Sequence, residues 1–133
     1  MVNILIAGDM FIKTSIVAET LRDVLGKAGI VPKINEVEWK FKGYQYGRLM
    51  GIRRELREFA GEPSELAELV KDADILIVHV APVTIDVIRA ADNLKIIGCS
   101  RSSPVNIDVD AATTKKIPVL YTPGRNAEAV ADY

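Results

Sequence analysis

Apolar positions recur along this chain with two periods, and the two alternate. Val2 to Ala7 is a short apolar run, the pattern of a strand buried on both faces. After the loop "GDMFIK", Thr14 or Ser15 is placed to cap a helix whose Val17, Leu21, Val24, Leu25 and Ala28 share one face, and Gly29 is placed to end it. Ile30 to Val37 predicts a second strand, which Pro32 confines to a sheet edge. A helix begins at Ser64 behind Pro63, with Leu66, Leu69, Val70 and Ala73 inward. "DILIVHV" (Asp74 to Val80) is the strongest strand pattern in the chain. Thr84 then caps a helix carrying Val87, Ile88 and Ala91. "LKIIG" predicts strand four, "DVDAAT" a short helix and "IPVLY" strand five.

Strand followed by helix throughout implies right-handed crossovers and a parallel sheet covered on both faces, an α/β doubly wound fold. The order 2-1-3-4-5 suits Pro32, because it leaves the second strand at the edge. Ligands of such sheets bind at the carboxyl ends of the strands, beside the point where the order reverses. That directs attention to Gly8 to Phe11, His79 to Val83, Gly98 to Asn106 and Thr122 to Asn126.

The segment Glu38 to Glu62 breaks the alternation. It sets Trp39, Phe41, Tyr44 and Tyr46 among basic residues, and its second half has Leu49, Ile52, Leu56 and Phe59 at helical spacing. Interleaved aromatic and basic groups can stack on and neutralise nucleic acid. An inserted loop and helix packed on a sheet edge, or on a second subunit in a homodimer, accounts for the same residues. Charge favours the insert: 17 Lys and Arg stand against 18 Asp and Glu, a net charge of -1, so no general attraction to nucleic acid or anionic membrane is expected.

The remaining composition bounds the setting. At 133 residues, 49% of them hydrophobic and 26% charged, the chain suits one soluble globular domain. Cys99 is the single cysteine, which excludes an intrachain disulfide and fits a reducing, cytoplasmic setting. The first apolar run is too short for a signal peptide or a membrane span.

Several chemistries of doubly wound sheets fail on residue type. A phosphoacceptor site needs an acidic pair after strand one and an Asp ending strand three; Asp9 is available, but strand three ends in His79-Val80. "GDMFIKTS" is too bulky for a flavin phosphate loop, and no G-x-G-x-x-G follows any strand. One His and one Cys give no zinc cluster, so no metal site is expected. What remains is "GCSRSSPVNID" (Gly98 to Asp108) after strand four. Its small residues allow sharp turns that expose amide N–H groups to an anion, and Arg101 adds a charge with bidentate geometry for carboxylate. A simple Ser-Ser-Pro turn explains the loop equally well.

From Ala73 to Tyr133 the chain closely resembles the D-isomer-specific 2-hydroxyacid dehydrogenases, the group that includes phosphoglycerate dehydrogenase. The shared pattern is L-K-x-I-G, a small-residue loop, N-I-D-x-x-A-A-T, I-P-V, T-P and N-x-x-x-V-A-[DE], running without a gap from Leu94. Residues 1–72 match by element order alone. The resemblance implies a flavodoxin-like substrate domain beside a Rossmann domain that binds NAD or NADP and carries the catalytic groups, so neither catalytic nor cofactor-binding residues are expected in this chain. It implies that backbone amides of Arg101, Ser102 and Ser103 hold the carboxylate of a small 2-hydroxy or 2-keto acid, and that Asn126 is a further contact. His79 stands where phosphoglycerate dehydrogenases often have an Arg; Asn106 and Asp108 read as structural. Asn126 also caps a helix that has run only two turns by Tyr133, which implies a front domain cut at the crossing helix, inactive by itself, with a frayed or docked tail. A stand-alone binding or regulatory module of the same fold is the alternative. A G-x-G-x-x-G about twenty residues beyond Tyr133 would mark the enzyme.

Overall fold

The computed structural model describes residues 1–47 and 56–122. Five strands, β1 (Asn3–Gly8), β2 (Lys33–Glu38), β3 (Ile75–Val78), β4 (Ile96–Cys99) and β5 (Val119–Tyr121), form one sheet in the order β2-β1-β3-β4-β5. Every pairing is parallel. The crossovers are α1 (Thr14–Lys27), α2 (Pro63–Leu69), α3 (Ile85–Ala90) and α4 (Val109–Thr114). This is the doubly wound α/β fold that the alternation of periods predicts.

Strand side chains alternate faces, and each face has its own core. Leu5, Leu76, Ile97 and Val119 stand in register across four strands. They pack with Leu66, Val70, Val87, Ile88 and Ala112 from the α2, α3 and α4 side. Ile4, Ile6, Ile75 and Ile77 point the other way, toward Ala18, Val17, Leu21 and Leu25 of α1. Helices therefore lie on both faces of the sheet, as the alternation of elements predicts.

Local signals placed most helix ends. Thr84 accepts from the Val87 N–H and Asp108 from the Ala111 N–H, each satisfying an orphan donor of a first turn. Gly29 follows α1 at φ 77°, the left-handed turn expected of glycine. At the start of α1 the expectation fails: Lys13 occupies the cap with no side-chain bond, and neither Thr14 nor Ser15 caps. Asp9 instead orders the loop ahead of the helix, its Oδ1 accepting from the N–H groups of Phe11 and Ile12. Two assigned core positions are also on the surface. Val24 is 57% exposed and Leu69 42% exposed, because each falls at the margin of an apolar stripe narrower than its spacing suggests. Ala28 is exposed as well.

The irregular stretch after β2 packs on the chain's own sheet. The Trp39 N–H bonds the Gly8 carbonyl and the Ala60 N–H bonds Val80, while Gln45 and Phe59 form an antiparallel bridge. Trp39 is buried, its indole N–H donating to the Ala60 carbonyl at 2.7 Å. Gly61, at φ 94°, lies so close that a Cβ there would stand 2.5 Å from the indole nitrogen. Leu56 and Phe59 are buried; Leu49 and Ile52 lie outside the described residues. With Trp39 and Phe59 interior, those rings are withdrawn from any base-stacking role. The segment forms a wall over the carboxyl ends of the strands.

Candidate active site at the carboxyl edge

Strand register brings the ligand loops together. Ala7 pairs with Val78, and Val78 with Cys99, so the next residues out are Gly8, His79 and Ser100. At Gly8 the chain closes tightly on itself: an added Cβ would meet the Ile12 carbonyl oxygen at 2.5 Å and the Thr14 methyl at 2.7 Å. That closure, sealed by the Asp9 N–H to Ile12 carbonyl bond of 3.0 Å, turns Asp9 back over the sheet edge. Its side chain is buried, and Oδ2 lies 2.7 Å from Nδ1 of His79. Since Oδ1 is committed to two backbone N–H groups, Nδ1–H is the donor that Oδ2 needs. The imidazole is thereby oriented and Nε2 becomes its other polar atom.

Arg101 comes from the β4 loop. Its carbonyl accepts from both the N–H and the hydroxyl of Thr122, at 2.9 and 3.1 Å, which ties the loop to the end of β5. Its Nη2 pairs with Glu58 of the wall, and its guanidinium lies over the Tyr44 ring, 5.6 Å from the centroid, in cation–π contact. Phe11, Phe41 and Tyr44 follow one another edge to face, with centroids 5.3 and 4.9 Å apart. Together Phe11, Ile12, Tyr44, His79, Ser100, Arg101 and Ser102 line a concavity of about 310 Å³.

The structure thus brings His79, Arg101 and Ser102 to one hollow. Ser103 is exposed and is not among the lining residues. Asn126, with the helix it was expected to start, lies outside the described residues. Sequence reasoning missed the Asp9–His79 pair, the Glu58–Arg101 pair and the Tyr44 wall. The only advance signal was that Asp9 and His79 both sit just past strand ends. Asn106 is fully buried, donating to the Ala81 carbonyl at 2.8 Å and accepting from Cys99 Sγ at 3.5 Å, a structural role as expected.

Cys99 lies directly beneath the loop. Burial pushes its thiol up to about 11 from 9.0, while a backbone hydrogen bond from Arg101 and the charge of Arg101 pull it the other way. The thiolate is the nucleophile, so native protein at pH 8 should alkylate far more slowly than denatured protein, as mass spectrometry after iodoacetamide would show. A raised thiol value also means that unfolding releases a proton at high pH. Stability is therefore whole below pH 9 and falls as pH rises toward 11.

The loop after β1 is not built to hold the pyrophosphate of a nicotinamide dinucleotide. The amides after β1 that could cradle a pyrophosphate are taken by Asp9, and Gly8 has no room for an approaching group. Among the described residues no cluster of His, Cys, Asp and Glu could hold a metal ion, and no helix is long and apolar enough to cross a membrane.

The family model for the catalytic domain of D-isomer specific 2-hydroxyacid dehydrogenases matches residues 48–133. The hydroxypyruvate reductase of Thermotoga maritima is 44% identical over 72 residues, 53% of this chain and 24% of that protein. The D-3-phosphoglycerate dehydrogenase of Methanocaldococcus jannaschii is 46% identical over 69 residues, 51% of this chain and 13% of that one. The matched stretches make up less than a quarter of the length of each of these relatives. Among solved structures, NAD+-bound 3-phosphoglycerate dehydrogenase of Entamoeba histolytica superimposes with a TM-score of 0.66 at 24% identity, over 98% of this chain and 36% of that one. The D-lactate dehydrogenase of Escherichia coli gives 0.62 at 14% identity, over 99% and 34%; at such identities the likeness speaks for the fold. With a family match over well more than half its length, the chain belongs to the D-isomer-specific 2-hydroxyacid dehydrogenases, as part of their catalytic domain.

Proposed function

We propose that this domain binds the acid substrate of an NAD- or NADP-dependent oxidoreductase that interconverts a 2-hydroxy and a 2-keto acid. One observation carries the reading: His79, Arg101 and Ser102, drawn from two separate strand ends, line a single concavity at the carboxyl edge of the sheet. The substrate carboxylate sits beside Arg101 and the loop amides, which supply charge-assisted and neutral hydrogen bonds. Among the described residues Nη1 of Arg101 is buried with no hydrogen-bond partner, and a carboxylate would give that donor an acceptor. The hydride chemistry belongs to a Rossmann domain elsewhere in the whole protein, in keeping with relatives that are longer than this chain.

Assays of the protein from its full gene, with NADH and NADPH against a panel of 2-keto acids, test the reading. Turnover of at least one acid is expected, with none by the 133-residue chain alone. A full-length protein inert toward the whole panel would refute the oxidoreductase assignment and favour a binding module.

A further inference from the structure

The hollow follows the strand ends in order. Arg101 and Ser102 come from the loop after β4, His79 from the end of β3, and Phe11 and Ile12 from the loop after β1. In the sheet β3 lies between β4 and β1. Val78 and Cys99 are register partners, so His79 stands one strand over from the Arg101 loop, a step of about 4.8 Å. An acid whose carboxylate sits at Arg101 therefore carries the substituent on its third carbon toward His79. The imidazole waiting there is fixed. The wholly buried Asp9 side chain meets Nδ1 at 2.7 Å, and its other oxygen is held by the Phe11 and Ile12 N–H groups. Phe11 also packs edge-on against the ring, with centroids 6.1 Å apart. Asp9 borders a different hollow, with Lys13 and Thr14, while the His79 side chain, 14% exposed, lines this one. The ring edge facing Asp9 carries Nδ1, so the edge facing the ligand carries Nε2. With Nδ1–H directed at Asp9, Nε2 of the neutral ring is a hydrogen-bond acceptor. A hydroxyl answers it, whereas a methyl group in the same place leaves it unpaired.

Resting on the reading above, we propose that Nε2 of His79 takes a hydrogen bond from a hydroxyl on the tail of the bound acid, and that Asp9 is the positioning residue that turns Nε2 toward it. The site then favours hydroxylated acids over apolar-tailed acids of the same size. Pockets built to bond a substrate hydroxyl discriminate strongly against the analogue that lacks it, because a polar group of the protein loses its partner.

Steady-state kinetics of the full-length protein with 3-hydroxypyruvate and 2-oxobutanoate test this, since the two acids differ by a hydroxyl in place of a methyl. The hydroxy acid should lead by about tenfold or more in kcat/KM. His79→Leu should shrink that lead several-fold, and His79→Gln, which keeps a side-chain acceptor, should retain part of it. Intrinsic reactivity of the two keto groups cancels when the ratio is compared between parent and variant. Asp9→Asn keeps an oxygen for the Phe11 and Ile12 amides but turns an N–H toward His79, so Nδ1 should lose its proton, as nitrogen-15 NMR of the ring would show. A merely structural Asp9 would leave that signature unmoved. An equal or better rate with 2-oxobutanoate, a fall in His79→Leu that is the same for both acids, or an Nδ1 that keeps its proton in Asp9→Asn overturns the proposal. No turnover with any 2-keto acid would instead remove the oxidoreductase reading, and this inference with it.

Discussion

Arg101→Ala in the full-length protein should lower kcat/KM for the preferred acid by roughly ten- to a hundred-fold, the effect of a charge-assisted contact of about 1.5–3 kcal/mol. Most of the loss should appear as a higher KM, because in the proposed role Arg101 would hold the carboxylate before and during the reaction alike. A fall in kcat as well would mean that the guanidinium also orients the substrate. Removing Arg101 strands Glu58, half-buried in the wall, so part of the effect comes from an unpaired carboxylate facing an anion. Arg101→Ala combined with Glu58→Gln separates the two contributions. If the double variant recovers binding, repulsion dominates; if it does not, the lost contact does. Lysine should rescue incompletely, since an ammonium cannot match the planar fork that lies over Tyr44.

Gly8→Ala should have a large structural effect. The new Cβ would sit 2.5 Å from a backbone carbonyl oxygen and 2.7 Å from the Thr14 methyl, and a main-chain atom cannot swing away as a side chain does. Overpacking of this kind costs about 1–3 kcal/mol, and losing the Asp9 N–H to Ile12 carbonyl bond adds about 1. A fall in Tm of roughly 10 °C is expected for a domain of this size. The site should suffer too, since the same turn aims Asp9 at His79. Nitrogen-15 NMR of the His79 ring reads that pair directly. Gly8→Ala with unchanged Tm and unchanged imidazole shifts would show that the loop after β1 is not held as described.

Fold and site were legible to different depths. The fold depends on patterns contained within single segments. Runs such as "DILIVHV" declare buried strands, Thr84 and Asp108 cap their own helices, and the edge place expected for the second strand is observed, with Pro32 just ahead of its first residue. Val24 and Leu69 were misassigned because periodicity marks a face and leaves its width open. Pairs in the site join residues far apart in sequence: Asp9 and His79 are separated by 70 positions, Glu58 and Arg101 by 43. Such contacts depend on strand register and on the path of the wall after β2, neither of which has a local signature. Tyr44 stood out for its aromatic and basic neighbours, and its meaning changed once Trp39 and Phe59 proved to be buried. Arg101 stood out by its charge in a small-residue loop, while Ser102 was found through the family pattern around it, since Ser-Ser-Pro reads equally well as a plain turn.

The central claim is that the hollow between His79, Arg101 and Ser102 receives a carboxylic acid. Its most direct test is amide and side-chain NMR of this chain titrated with pyruvate. Binding should be weak, since in the proposed reading a second domain completes the cleft. Shifts should nonetheless concentrate at Phe11, Ile12, Tyr44, the His79 ring and Ser100 to Ser102, saturate together, and vanish in Arg101→Ala. Shifts centred elsewhere on the sheet, or the same shifts persisting in Arg101→Ala, would contradict the assignment.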